Sequence, residues 1–338
     1  MRGDLVLGKR HAALFLGSLG ALLVLATTPE LLGDRVAAGV EGLGEASVAW
    51  LWLAAAAFAG SLVAGACGWA VALTRCGGST TAADSTARYC TGSLVNALAP
   101  ARLGTAVRFG LFSRVLPGEG KLWTVGGIAA SLSAIRAFWL AVVLALGSAS
   151  GALPRWPIAA LLLAVAVAAA VAWKARSTRA GSRFAHALDA FRVVGRCPRV
   201  AARLAGWVGL AMALRLAAAT GIAAAFGVEQ PLVAALLIIP ALDLAGILPL
   251  TPGNVGVSSA AVAFALTAQG VGSNVALSAG IAFGAVETLT TIALGCGSLL
   301  FFAGEREGLR RWRPALVSAA GCLALAGAFG ATVLAPLV

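Results

Sequence analysis

Apolar residues run along this chain in long blocks, separated by short polar or glycine- and proline-rich stretches. Several blocks reach the roughly 20 residues that a helix needs to cross a bilayer. The pattern predicts spans over His11–Thr28, Ala46–Leu73, Leu122–Gly147, Ile158–Trp173, Leu204–Phe226, Asn274–Phe302 and Ala315–Leu334. Between them lie shorter elements: the semi-polar Ser79–Ala99, the basic helix Arg102–Val115, the apolar Pro231–Leu248 and the short helix Ser258–Gln269. The first block follows Arg2, Lys9 and Arg10, but Ala26-Thr27-Thr28 is a poor cleavage site, so an uncleaved helix is expected within residues 1–32. The fold class expected is an all-α polytopic membrane protein, a single transmembrane domain over 1–338.

Composition agrees. The 338 residues are 60% hydrophobic and 11% charged, where a soluble domain carries about 25% charged residues. A soluble monomer or a disordered chain is thereby excluded. The formal charge of +12 would suggest nucleic acid in a soluble protein. Here no basic cluster is interleaved with exposed aromatics, so no nucleic-acid partner is expected. The basic residues instead mark cytoplasmic loops. The loop Glu30–Glu45 is net acidic and reads as outside. The linker 174–203 holds eight basic residues from Lys174 to Arg203 against Asp189, and reads as inside, as does Glu305–Arg313. The N-terminus is then cytoplasmic, the C-terminus is outside, and the membrane is the bacterial cytoplasmic one. Cys67, Cys76, Cys90, Cys197, Cys296 and Cys322 form no C-x-x-C pair, and His11 and His186 flank no acidic cluster. Neither a metal site nor a cofactor is expected.

Two segments resemble each other: Leu98-Ala99-Pro100-Ala101-Arg102-Leu103-Gly104 and Leu250-Thr251-Pro252-Gly253-Asn254-Val255-Gly256. Laying Pro100 on Pro252 also lays the surrounding elements on one another in order. Residues 46–173 and 204–336 are therefore expected to be two repeats. The charge rule gives them opposite orientation, the arrangement of many secondary transporters. Pro100, Gly104, Pro249, Pro252, Gly253 and Gly256 are the helix-breaking residues. Proline lacks a donor and disfavours helix before it, while glycine permits other backbone conformations. Each break reads as the turn of a re-entrant hairpin, or else as an ordinary interhelical turn. Irregular backbone at membrane depth has to line a cavity or be buried in protein.

Four ionisable residues lie deep within apolar runs: Arg136, Arg215, Asp243 and Glu287. Facing lipid alone, each costs about 2.5–3.5 kcal/mol, so they are expected to face the interior and pair, Arg136 with Glu287 and Arg215 with Asp243. They are either structural ion pairs or substrate contacts. Arg102 and Arg108 flank the first break, either as a bidentate phosphate grip or as inside markers. With Asn254, these are the candidate substrate-binding residues. No catalytic or metal-ligating set is evident.

Pro100, Arg102, Gly104 and Arg108, with Pro249, Pro252, Gly253, Gly256, Gly270 and Gly295, resemble the lysylphosphatidylglycerol synthase transmembrane-region family, also called flippase-like domain proteins. The resemblance runs from the second span to the last. The family pattern is Pro-x-Arg-x-Gly-Glu-x-x-Arg and then Pro-Gly-Gly-x-Gly-x-x-Glu. This chain has Thr105, Asn254 and Ser259 in place of the first Glu, the second Gly and the second Glu, and lacks a family Arg near Gly284. The resemblance implies a protein that moves an anionic phospholipid or a polyprenyl-phosphate-linked precursor between leaflets, without an aminoacyl-transfer domain. Two alternatives stand beside it: an accessory subunit of a lipid or envelope-glycan pathway, partnered by a pathway enzyme or a second copy, or a membrane-embedded lipid-modifying enzyme. No G-x-x-x-x-G-K-[ST] loop is present.

Overall fold

The computed structural model describes residues 42–98, 103–151, 197–246 and 256–305, with residue 159 alone between them. The first predicted helix, the span over Ile158–Trp173 apart from that residue, most of the basic linker, both break segments and the last span lie outside the described residues. So do Pro100, Arg102, Pro249, Pro252, Gly253 and Asn254.

Among the described residues there are eight α-helices and no strand. They are α1 (Val48–Arg75), α2 (Ala82–Leu98), α3 (Leu103–Ser113), α4 (Lys121–Ala149), α5 (Pro198–Ala225), α6 (Pro231–Ala245), α7 (Val257–Ala268) and α8 (Ser273–Glu305); a 3-10 turn, Gly42–Glu45, precedes α1. Helices α1, α4, α5 and α8 are long and apolar enough to cross a membrane. The 17, 11, 15 and 12 residues of α2, α3, α6 and α7 span about 26, 17, 23 and 18 Å, short of the roughly 30 Å hydrocarbon core.

Helix α5 starts at Pro198, six positions before the predicted Leu204. Proline at the first helical position is preset for helix and has no N–H to leave unpaired. Arg199 and Arg203 therefore belong to the first turns of a helix, not to the linker. Inside α6, Pro240 is buried; its missing N–H leaves the Leu236 carbonyl without a helical donor.

The centre is the pair α1 and α5. Gly60 faces Leu214, Gly68 faces Trp207 and Val208, and Gly221 faces Ala54 and the Trp50 carbonyl. The Ser47 N–H donates to the Ala225 carbonyl at 3.0 Å. Those contacts run in opposite directions along the two helices, so the pair is antiparallel. Lipid tails are as apolar as leucine, so association comes from close packing, and small residues permit it.

Helices α2 and α3 fold back on each other, as do α6 and α7. Ser79 N–H reaches the Val115 carbonyl, so the mouth of the α2–α3 pair lies at the end of the bundle where α1 stops. The α6–α7 pair opens at the other end, where α5 stops and α8 starts. Two apolar cores result. The larger joins α1, the second half of α4, α5, α6, α7 and the first half of α8. The smaller, with Trp69 stacked on Phe112 at 4.7 Å, joins the end of α1, the end of α3, the start of α4 and Leu204. The interior of the bundle between these cores is where the buried charges lie.

Candidate functional site

The α2–α3 pair is held so tightly that only glycine fits at two points. A Cβ at Gly104 would overlap the Gly92 carbonyl and Asn96, and one at Gly92 would lie 2.8 Å from the Arg108 Cβ. Asn96 Oδ1 accepts from the Thr105 N–H at 3.2 Å. That satisfies one of the free donors at the start of α3, which would otherwise be open to an anion. Arg88 closes the mouth: its Nε donates to Asp84 at 2.8 Å and its Nη1 to the Leu111 carbonyl at 2.8 Å.

Arg108 projects from α3 across α2. Its guanidinium lies 3.9 Å above the Tyr89 ring, a cation–π stack, and its Nη2 donates to Ser93 Oγ at 2.8 Å. Its Nε is buried with no acceptor among the described residues. Few buried polar groups stay unpaired; this one is packed against α2, where a Cβ on Gly92 would lie 3.1 Å from it. The Tyr89 hydroxyl points at α1, where a Cβ on Gly65 would lie 3.3 Å away.

At mid-depth four charges from four helices converge. Asp243, near the inner end of α6, receives Arg136 Nη2 from α4 at 2.5 Å and Arg215 Nη1 from α5 at 3.1 Å, both on Oδ1. Glu287 of α8 lies within Coulombic reach of Arg215, Arg136 and Asp243. The expected pair of Arg215 with Asp243 is present. The expected pair of Arg136 with Glu287 is not: Arg136 is bonded to Asp243, because α4 lies against α6 and makes no extensive contact with α8. Similar depth placed Arg136 and Glu287 together in the sequence; helix adjacency decides the partner. Asp243 and Arg215 side chains are 13% and 20% exposed, whereas Arg136 is 51% exposed. Arg136 is thus the more exposed of the two arginines on Asp243.

Two departures from the family pattern meet in space. A Cβ at Gly284 would lie 2.6 Å from Ser259 Oγ. Where the pattern has an acid and, nearby, an arginine, this chain has a hydroxyl against a bare helix backbone. Neither side of this contact carries a charge.

Of the predicted site residues, the structure brings together Arg136, Arg215, Asp243 and Glu287, and it places Arg108 apart from them, beside Tyr89. Gly256 begins α7 with φ +85°, a left-handed conformation that glycine tolerates best. Tyr89, Ser93, Asn96 and Gly92 were not predicted. One signal was available: Tyr89 is the sole tyrosine of the chain, placed in a half-polar helix.

Four helices long and apolar enough to cross a membrane, with shorter helices packed in pairs among them, define a multi-pass helical membrane protein. The chain belongs to the family described as the lysylphosphatidylglycerol synthase TM region, which matches residues 12–295. No curated protein matches it.

Proposed function

We propose that the protein moves an anionic lipid, an anionic phospholipid or a polyprenyl-phosphate-linked precursor, between the leaflets of a bacterial cytoplasmic membrane. The observation that carries this reading is the mid-depth convergence of Arg136, Arg215, Asp243 and Glu287. Charges at this depth are expensive unless they face protein or a wet cavity, and they commonly mark a substrate pathway. Membership of the family supports a lipid-related role. Arg136 is the group proposed to meet the headgroup first, with Arg108 as a second contact.

The reading includes two inverted repeats, each with a re-entrant hairpin. Several features support it. Helices α1 to α4 and α5 to α8 follow one order: long, short, short, long. The same pairings recur on exchanging the halves: α2 lies on α8 as α6 lies on α4, and α4 lies on α5 as α8 lies on α1. The counterparts α1 and α5 run antiparallel. The outer residues Arg102 and Asn254, at the two breaks, are proposed to complete the site.

Vesicles reconstituted with the protein and a fluorescent anionic lipid test the proposal. Dithionite in the outside medium should quench label that empty vesicles keep protected. Arg136→Ala should slow this by about tenfold to a hundredfold, as expected for one charge-assisted contact of roughly 1.5–3 kcal/mol. Arg136→Lys, which keeps the charge, should restore part of the rate. Movement no faster than in empty vesicles defeats the proposal.

A further inference from the structure

We infer that Asp243 is a movable counter-ion: it holds Arg136 while the site is empty, and the phosphate of an anionic lipid takes its place as α6 bends at Pro240. The inference rests on the lipid-moving reading above and adds how the headgroup enters the site and leaves it.

Asp243 is held by single contacts. Arg136 Nη2 and Arg215 Nη1 both donate to its Oδ1, at 2.5 and 3.1 Å. Neither guanidinium forms the parallel two-bond fork that makes arginine–carboxylate pairs strong. A phosphodiester offers two free oxygens to such a fork, so it can displace a carboxylate held by one bond. Arg136 is 51% exposed and Arg215 20%, so the exchange begins at Arg136 while Arg215 keeps Asp243. The retained bond matters, because a buried carboxylate stripped of every partner is costly. Arg108 differs. Its partners among the described residues are the Tyr89 ring and Ser93 Oγ, so no acid has to leave before an anion approaches it.

Helix α6 is built to follow the exchange. The part before Pro240 is anchored, with Ala234, Ala235, Leu236, Ile238 and Ile239 buried in the larger core. Pro240 then interrupts the hydrogen-bond ladder, and sharp kinks in helices occur at such residues. Beyond it Leu242 alone is buried, and Leu244 is exposed. Asp243 lies between them, three residues past the proline. At about 1.5 Å per residue, a bend of about 20° moves Asp243 by roughly 1.5 Å and opens the 2.5 Å bond beyond hydrogen-bonding range. No other described helix has a proline in its interior: Pro198 and Pro231 stand at the first positions of α5 and α6. Helix α2, second among the first four helices as α6 is among the last four, has none. The weak turn therefore falls in the helix that carries Asp243, just before that residue.

The test uses the full chain in phosphatidylcholine vesicles. One arm carries acyl-labelled phosphatidylglycerol and the other a labelled polyprenyl phosphate, so the source of the phosphate is distinguished. Spin labels on Phe138→Cys and Leu244→Cys, both at exposed positions, in a background freed of native cysteines, report the distance from α4 to the end of α6. The anionic lipid that is moved should lengthen that distance, and phosphatidylcholine alone should not. Asp243→Asn removes the competitor for Arg136. Its half-saturating lipid fraction should fall by about tenfold, the worth of one charge-assisted bond. Its maximal rate should fall too, because nothing then drives the headgroup off Arg136. A purely structural pair would slow movement without tightening binding. Asp243→Glu should restore both values in part. Pro240→Ala restores the ladder, so it should suppress the distance change and slow movement while half-saturation stays near the wild-type value. Lipid movement by the wild type at an unchanged distance overturns the inference and leaves the lipid-moving reading intact. So does an Asp243→Asn half-saturation no lower than that of the wild type. Movement of neither probe overturns both. If Asp243→Asn does not fold, the wild-type distance and Pro240→Ala decide, and full-rate movement by Pro240→Ala overturns the inference.

Discussion

At the scale of single residues, glycine has different physical roles at the two breaks, and substitution should separate them. Gly104 is fixed by neighbours: a Cβ there meets backbone on α2 that cannot yield. Gly256 has open space around it but a φ of +85°. In detergent-solubilised protein, Gly256→Ala should lower stability by about 1–2 kcal/mol, the left-handed penalty for an L-residue. Gly104→Ala should lower it further, since overpacking typically costs about 1–3 kcal/mol and here the clash is with main chain. Gly110, mid-helix in α3 with nothing within 4 Å, is the control: alanine there should stabilise by up to about 1 kcal/mol. Thermal melts of the three variants check the order. The charge cluster gives a second contrast. Asp243→Asn removes the negative charge that compensates two guanidinium groups, so it should destabilise by about 3–5 kcal/mol, as for a broken buried pair. Arg136→Gln should cost less, because Arg215 still holds Asp243. In the double variant the two losses should not add, which a double-mutant cycle reads directly.

At the scale of elements, much of the arrangement is legible in the sequence. Apolar block length gives α1, α4, α5 and α8, and the Pro and Gly clusters mark where the short helices stop. The start of α5 was not legible, because Arg199 and Arg203 read as linker. Arginine stems lie along apolar surface while their heads reach the interface, so helix and basic character coexist there. The partner of Arg136 was not legible either, since sequence spacing gives depth along a helix and not the neighbour it faces. Nor was the need for Gly at 104, which arises from a helix folding back onto Gly92 and Asn96. The α2–α3 hairpin also rests on a contact that no spacing rule shows, the Arg108 stack on Tyr89. Tyr89→Phe keeps the ring face and should leave hairpin stability nearly unchanged. Tyr89→Leu should lower it by about 1 kcal/mol, the cation–π contribution. Hydrogen exchange of the α2 and α3 amides in detergent, which reports local opening, distinguishes them.

At the scale of the whole molecule, the structure gathers charges that the sequence scatters. Arg75, Arg88, Arg114, Lys121, Arg199 and Arg203 fall at one end of the bundle, against Asp84, Glu119 and, at the end of α8, Glu305. The other end has Glu45 and Glu229 and, among the described residues, no lysine or arginine. The exposed Trp50 and Trp52 lie near that acidic end and Trp123 near the basic end, as expected for aromatic residues at the two interfaces. The same rule predicts that the basic end faces the cytoplasm. A prediction with a definite sign follows, which also decides how the two hairpins enter. Single cysteines at the exposed Glu119 and Glu229 positions, in a background freed of native cysteines, mark the two ends. An impermeant maleimide on intact cells should label Glu229→Cys and leave Glu119→Cys untouched until the membrane is permeabilised. Labelling of both from outside would remove the transmembrane arrangement. The reverse labelling would invert it, placing the α2–α3 mouth outside and the α6–α7 mouth inside. In that case the basic end would face away from the anionic cytoplasmic surface, and Arg199 and Arg203 would lose the lipid headgroups that favour a basic first turn on α5.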